Sequence, residues 1–347
     1  MATNWIERFG NDGNNLFFLD SASNKIYICD TFNYEIDFWG FAGDIINPFT
    51  QFRDISVHQD RGLLIPDKYH SFQILDLKKG NVISEIQVKK RDDGYRSDLN
   101  YLTSVSRDYD VYVIPYNQSS ILHFNTQTGV CEDIRSYVDE FKTIRTKTDG
   151  SDWASFMNAK LINSILYVPL RFTNIILLYN IETQEYEFAE IGKQKKSFVD
   201  ICQDGAVFWL SSEEGQIIKW DKSNGVTELV LDYSLSGIPV VSTGRMPFPY
   251  IFDIGEELLV FDDKYAAVRI DKSSMKVNVI DEIGEAASYC HVCTREFNGV
   301  IYSHCPYNDT IVSVNKGTME MEVHKIKYKK NVGNRIFKGF IDLVVQG

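Results

Sequence analysis

Two groupings of side chains in this 347-residue sequence have the makings of a reactive or binding centre. Cys290, His291 and Cys293 are followed by His304 and Cys305, a thiolate and imidazole set of the kind that holds zinc. Successive side chains of a strand point to opposite faces, and no Gly or Pro lies between Cys290 and Cys293 to turn the chain, so small buried thiols are the expected outcome. The second grouping is dispersed: Glu7, Asp54, Ser104, Asn158, Asp200, Asp253 and His291 each stand 18 to 24 residues before a recurring Asp or Asn. If the elements bearing them converge, their oxygens form a ring suited to a hard cation such as Ca²⁺, which takes six to eight oxygens.

A further set combines aromatic with polar residues at corresponding places: Tyr69 and His70 after Lys68, Tyr116 and Asn117 after Pro115, Arg171 with Phe172, Lys264 with Tyr265, and Tyr307 after Pro306. Rigid apolar rings beside hydrogen-bonding neighbours are what surfaces for peptides or glycans use. His70 and His304 are the candidates for general acid or base work, and both are expected in loops on the same face. Trp153 and Arg245, in long connections, are expected at the rim of that face. The sequence has no Gly-x-Ser-x-Gly, no His-Glu-x-x-His and no complete phosphate-binding Gly-rich loop; residues 192–197 (Gly-Lys-Gln-Lys-Lys-Ser) lack the upstream glycine and read as a solvated turn.

The elements that must position these residues follow from a repeat. An apolar strand, a polar turn and a second apolar strand closed by Asp or Asn return throughout, the closing residue standing at Asp30, Asp76, Asn125, Asn180, Asp221, Asp271 and Asn315. The spacings run from 41 to 55 residues, the length of a four-stranded propeller blade. Each anchor opens a turn, as in Asp76-Leu77-Lys78-Lys79-Gly80, where Asp or Asn bonds the turn backbone and Gly accepts positive φ. Runs apolar on both faces precede the anchors at residues 16–19, 63–65, 111–114, 165–168, 207–210, 258–261 and 300–302, the pattern of a strand sandwiched in a core. Innermost strands are expected at residues 5–9, 54–58, 103–106, 158–162, 198–202, 250–254 and 289–294. Residues 131–148 admit one short helix through Val138, Phe141 and Ile144.

The stretch from Ile165-Leu166-Tyr167-Val168-Pro169 to Leu178-Tyr179-Asn180 resembles the second and third strands of a kelch-type blade. Asp204-Gly205-Ala206-Val207-Phe208-Trp209 with Ile218-Lys219-Trp220-Asp221 resembles a blade of the NHL or streptogramin-lyase type. The resemblance covers nearly the whole chain and implies the propeller superfold, which fixes no function by itself. The expected fold is all-β, a seven-bladed β-propeller of four-stranded antiparallel blades, with six blades plus an irregular terminal unit as the alternative. The propeller is expected over residues 1–328. Residues 329–347 then form a basic tail that docks on it or adds a strand, through Phe337, Ile341 and Val344 or Val345.

Charge narrows the partners. The net charge of −12 disfavours nucleic acid and anionic membrane, although residues 325–347 carry six basic side chains against Asp342 alone. No run approaches the roughly 20 apolar residues of a transmembrane helix. The opening residues do not read as a secretory leader, and six sparse cysteines read as reduced thiols, so the expected location is cytoplasmic. The expected function is a non-catalytic binding module that offers its loop face and channel mouth to a protein, peptide or glycan. The alternative is a metal-dependent enzyme of lactonase or lyase type acting through the channel ring. No cofactor is expected, a divalent cation in the channel being the exception.

Overall fold

A computed structural model describes residues 6–20, 25–41, 52–66, 71–88, 101–116, 118–147, 155–193, 196–232, 249–261, 267–280, 293–305 and 310–329. Seven four-stranded antiparallel sheets follow one another along the chain, each built from consecutive strands. Blade 1 comprises β1 (Ile6–Asn11), β2 (Asn15–Asp20), β3 (Lys25–Asp30) and β4 (Glu35–Phe41). Blade 2 has β5 (Phe52–His58), β6 (Arg61–Pro66), β7 (Ser71–Asp76) and β8 (Asn81–Gln87). In blade 3, β9 (Tyr101–Arg107), β10 (Asp110–Pro115), β11 (Ile121–Asn125) and β12 (Val130–Ile134) precede a helix, α1 (Val138–Lys147). Blade 4 runs through β13 (Lys160–Ile162), β14 (Ile165–Pro169), β15 (Ile175–Asn180) and β16 (Tyr186–Glu190). Blade 5 contains β17 (Phe198–Asp204), β18 (Val207–Ser212), β19 (Gln216–Asp221) and β20 (Val226–Asp232). Blade 6 follows with β21 (Tyr250–Asp253), β22 (Glu257–Phe261), β23 (Ala267–Asp271) and β24 (Val277–Ile280). Blade 7 has β25 (Cys293–Phe297), β26 (Val300–Cys305), β27 (Thr310–Asn315) and β28 (Met321–Lys325), and a two-residue strand β29 (Lys327–Tyr328) comes after it.

Every predicted anchor is the last residue of its blade's third strand. The reason is local. Its side-chain oxygen accepts amide hydrogens of the turn that follows, as Asn180 Oδ1 does from Glu182 and Thr183 at 2.9 and 3.1 Å, and Asp271 Oδ1 from Ser273 and Ser274 at 3.1 and 2.7 Å. These bonds favour the ionised form. Side-chain and backbone bonds from Ser273 and Ser274 hold the Asp271 carboxyl down at about 2, and Asp76 and Asp221 are lowered in the same way.

Among the described residues the core consists of seven apolar clusters, one at each seam between neighbouring blades. Tyr302 and Ile311 of blade 7 pack with Phe9, Phe18 and Ile36 of blade 1, so the ring closes. The other seams join blades 1 and 2, 2 and 3, 3 and 4, 4 and 5, 5 and 6, and 6 and 7. Second strands supply both sides, which explains their uninterrupted apolar runs: Leu63, Leu64 and Ile65 are all fully buried. α1 fills the seam between blades 3 and 4 with Val138 and Phe141, and the Tyr137 hydroxyl accepts the Ile121 amide hydrogen at 2.7 Å.

Ring closure carries one addition. β29 pairs parallel with the outer edge of β4, giving blade 1 a fifth strand; Lys327 N–H donates to Tyr34 C=O and Lys329 N–H to Ile36 C=O. Residues 330–347 lie outside the described residues.

Candidate functional site

First strands of adjacent blades contact each other and so line the centre. Their pairing with the second strands fixes which residues are equivalent. In blades 1, 2, 3 and 5 the inner strand carries one extra residue near its start, and the residue after this bulge is Arg8, Asp54, Thr103 and Asp200 respectively. Asn158 has the same place in blade 4, between Phe156, bridged to Leu170, and Lys160, opposite Tyr167. Tyr250 and Cys293 take it in blades 6 and 7.

Of the seven expected ring members, therefore, only Asp54, Asn158 and Asp200 share a level. Glu7 is the bulged residue, Ser104 is one residue further on, and Asp253 ends β21 at the opposite end of the strand, bonded to Lys272 at 2.5 Å. His291 falls outside the described residues, as do residues 289–292 of the inner strand expected in blade 7. The two carboxylates at that level are not wet either. Asp54 and Asp200 are fully buried, and each is neutralised by a cation of the chain itself.

Those cations share a register too: Lys160 in blade 4 and Arg295 in blade 7 lie two residues beyond the ring level. Lys160 Nζ stands 2.9 Å from Asp200 Oδ2, donates to Ile251 C=O and lies 4.0 Å from the centre of the Phe252 ring. Asp200 Oδ2 also accepts the Ile251 amide, and Asn158 Nδ2 donates to Pro249 C=O. Blades 4, 5 and 6 are thus bound together. Burial pushes the Asp200 carboxyl upward, against the pull of Lys160 and the Ile251 amide.

Arg295 does the same for the other four blades. Its guanidinium reaches Asp54 Oδ2 at 2.5 Å, Phe9 C=O at 3.0 Å, Ile55 C=O at 3.2 Å and Thr103 Oγ1 at 3.3 Å, while Ser104 Oγ donates to Asp54 at 2.8 Å. Both cations stand 20 residues before their blade's closing Asn, at Asn180 and Asn315, a regularity the sequence carried and the polar-ring alignment missed. Among the described residues no three His, Cys, Asp or Glu side chains converge as a metal set.

His304 is corrected from a loop residue to a strand one: it lies in β26, 2% exposed, with its ring 5.3 Å from that of Phe18. Of the other cysteine and histidine candidates, Cys290 and His291 lie outside the described residues. Buried Cys29 and Cys202 are held as thiols by desolvation, which pushes both up to about 12.

On the loop face the structure brings together one cluster from three consecutive blades. Tyr116 follows β10, Arg171 and Phe172 follow β14, and Glu213, a residue outside the expected set, follows β18. Glu213 Oε1 accepts Arg171 Nε at 2.8 Å and Nη2 at 2.6 Å. Burial lowers the basicity of Arg171, but Glu213 and then Tyr116 outweigh it and raise it. The guanidinium stacks over the Phe172 ring at 4.5 Å. Phe172 has φ 63°, a left-handed conformation unusual for a bulky residue, pinned by its amide donating to Ser197 Oγ at 2.7 Å. Tyr69, His70, Asn117, Lys264, Tyr265 and Tyr307, with Trp153 and Arg245, lie outside the described residues.

No family model matches the chain, and no curated protein matches its sequence. Solved structures do match in shape. A catalytically inactive virginiamycin B lyase from Staphylococcus aureus with quinupristin is similar with TM-score 0.58 and 14% identity, over 86% of this chain and 91% of the lyase. Saccharomyces cerevisiae Sqt1 gives 0.60 and 12%, over 93% of this chain and 86% of that one. BamB from Moraxella catarrhalis gives 0.54 and 13%, over 88% and 84%. The chain is a seven-bladed β-propeller. At these identities the likeness extends to the fold alone, and the propellers it joins include a lyase as well as proteins not described as enzymes. Among the described residues, no helix is long and apolar enough to cross a membrane.

Proposed function

We propose that this propeller is a binding module that receives a protein, peptide or glycan partner on the loop face of blades 3 to 5. The observation that carries the reading is the Tyr116, Arg171, Phe172 and Glu213 cluster: an aromatic ring held in a strained backbone conformation, with its guanidinium neighbour fixed by a carboxylate. A pre-ordered side chain loses little freedom on binding, and Tyr and Arg are enriched among residues that dominate interfaces. Peptide and glycan arrays probed with the wild type and with Tyr116→Ala/Phe172→Ala test it. The double variant is expected to keep its melting temperature and lose at least about 30-fold in affinity for whatever the wild type binds, the effect of truncating a dominant aromatic. Unchanged affinity would overturn the reading.

The second reading, a metal-dependent lactonase or lyase, draws support from the likeness to a virginiamycin B lyase. Against it, two carboxylates of the proposed ring are already engaged by Arg295 and Lys160. Calorimetric titration of chelator-treated protein with Ca²⁺, Mg²⁺ and Zn²⁺ decides: tight binding lost in Asp54→Asn or Asp200→Asn would favour the enzyme.

A further inference from the structure

Gly192, Lys193 and Lys196, in the connection from β16 to β17, border a cleft. Ile191, Phe198, Ile218 and Leu229 line it, its volume is about 150 Å³, and Lys193 and Lys196 stand at its rim. Gly192 keeps the cleft open. Its φ is 68°, and a Cβ there would stand 3.2 Å from Thr227 Oγ1 on the opposite wall. Leu229 is 52% exposed, the part of the lining that the fold leaves uncovered, and it lies beside the buried Ile191, Phe198 and Ile218.

Acids outnumber bases by 12, yet among the described residues neither Lys193 nor Lys196 has a carboxylate in ion-pair contact. Lys196 donates instead to Gln216 Oε1, a neutral acceptor whose Nε2 is held by Asp232 at 3.0 Å. An apolar floor with uncompensated positive charge at its rim is complementary to a molecule with an apolar body and an anionic end.

We infer that this cleft binds a small organic carboxylic acid, its ring or short acyl chain on the floor and its carboxylate between Lys193 and Lys196. The size sets the class. Pockets for drug-sized ligands begin at roughly 300 Å³, so this one takes a single ring or a short chain. Inorganic phosphate would satisfy the lysines and leave the floor wet; a neutral amide of the same shape would cover the floor and leave the lysines without a counter-charge.

The test uses the full chain with labelled Ile and Leu methyls, because Ile191, Ile218 and Leu229 report from the floor itself. Titration with benzoate and hexanoate is expected to shift those methyls, with benzamide at least tenfold weaker. Lys193→Gln/Lys196→Gln is expected to weaken benzoate at least tenfold while the remaining methyl spectrum stays unchanged. Leu229→Glu, at an exposed position, is a second variant that places a repelling carboxylate on the cleft wall and is expected to abolish binding. Benzamide or phosphate shifting the floor methyls as well as benzoate does, or no shift with either acid, would overturn the inference. None of these outcomes bears on Tyr116 or Phe172, so the loop-face reading stands or falls separately.

Discussion

Asp54 and Asp200 are each sealed from water, and a buried carboxylate is tolerable only with a cation beside it. Removing one partner strands the other. Asp200→Ala is expected to cost about 3 kcal/mol, the lower end for breaking a buried pair, because Lys160 keeps some contact with solvent. Lys160→Met/Asp200→Leu should recover most of that loss, since it removes both charges and their desolvation together. Denaturant unfolding checks both, and a negligible loss in Asp200→Ala would show a wet, unconstrained carboxylate. The turn anchors make a pH prediction. Asp271 has its folded value near 2, below the ordinary 3.8, so its contribution is present above about pH 4 and is lost as pH falls toward 2. Asp271→Asn should keep the turn, as Asn180 does in its own blade, and flatten the melting-temperature profile over that interval. The anchors were legible in the sequence because each acts on amides two or three residues away. The Asp54 to Arg295 contact spans 241 residues, and no periodicity states which cation answers which acid.

At the scale of elements, strand identity was written in local pattern, and register was not. Blade 7 shows why: the ladder pairs Cys293 with His304, which sets Cys293 at the level of Asp54 and Asp200, two residues beyond the position that spacing alone assigned to His291. The recurrent bulge likewise shifts the level of Asp54 relative to Glu7 and Ser104, a change of one residue that composition does not record. Two elements invite mutation. Gly10 of β1 faces Val57 of β5 so closely that a Cβ would lie 2.7 Å from Val57 Cγ2 and 3.0 Å from its amide nitrogen. Gly10→Ala should force the first two blades apart and cost about 1–3 kcal/mol, read from thermal unfolding. Lys327→Pro deletes the amide that bonds Tyr34 C=O and should cost about 1 kcal/mol, with faster hydrogen exchange at the Lys329 amide.

In the whole molecule the two ties divide the ring, Arg295 joining blades 7, 1, 2 and 3 and Lys160 joining blades 4, 5 and 6. The contacts named for the two ties have no partner in common, so the costs of Asp54→Ala and Asp200→Ala are expected to add to within about 0.5 kcal/mol in the double variant. A larger discrepancy in equilibrium unfolding would mean that strain passes around the ring through the seams. The four antiparallel strands of each blade are consecutive in sequence, and among the described residues the ring is closed by side-chain packing between blades 7 and 1 and by β29, the one strand that joins a blade from the other end of the chain. The order in which blades are synthesised is therefore not part of what defines the fold. A circular permutant opened between Asp232 and Pro249, with the old ends joined by a linker, should reach the same native state.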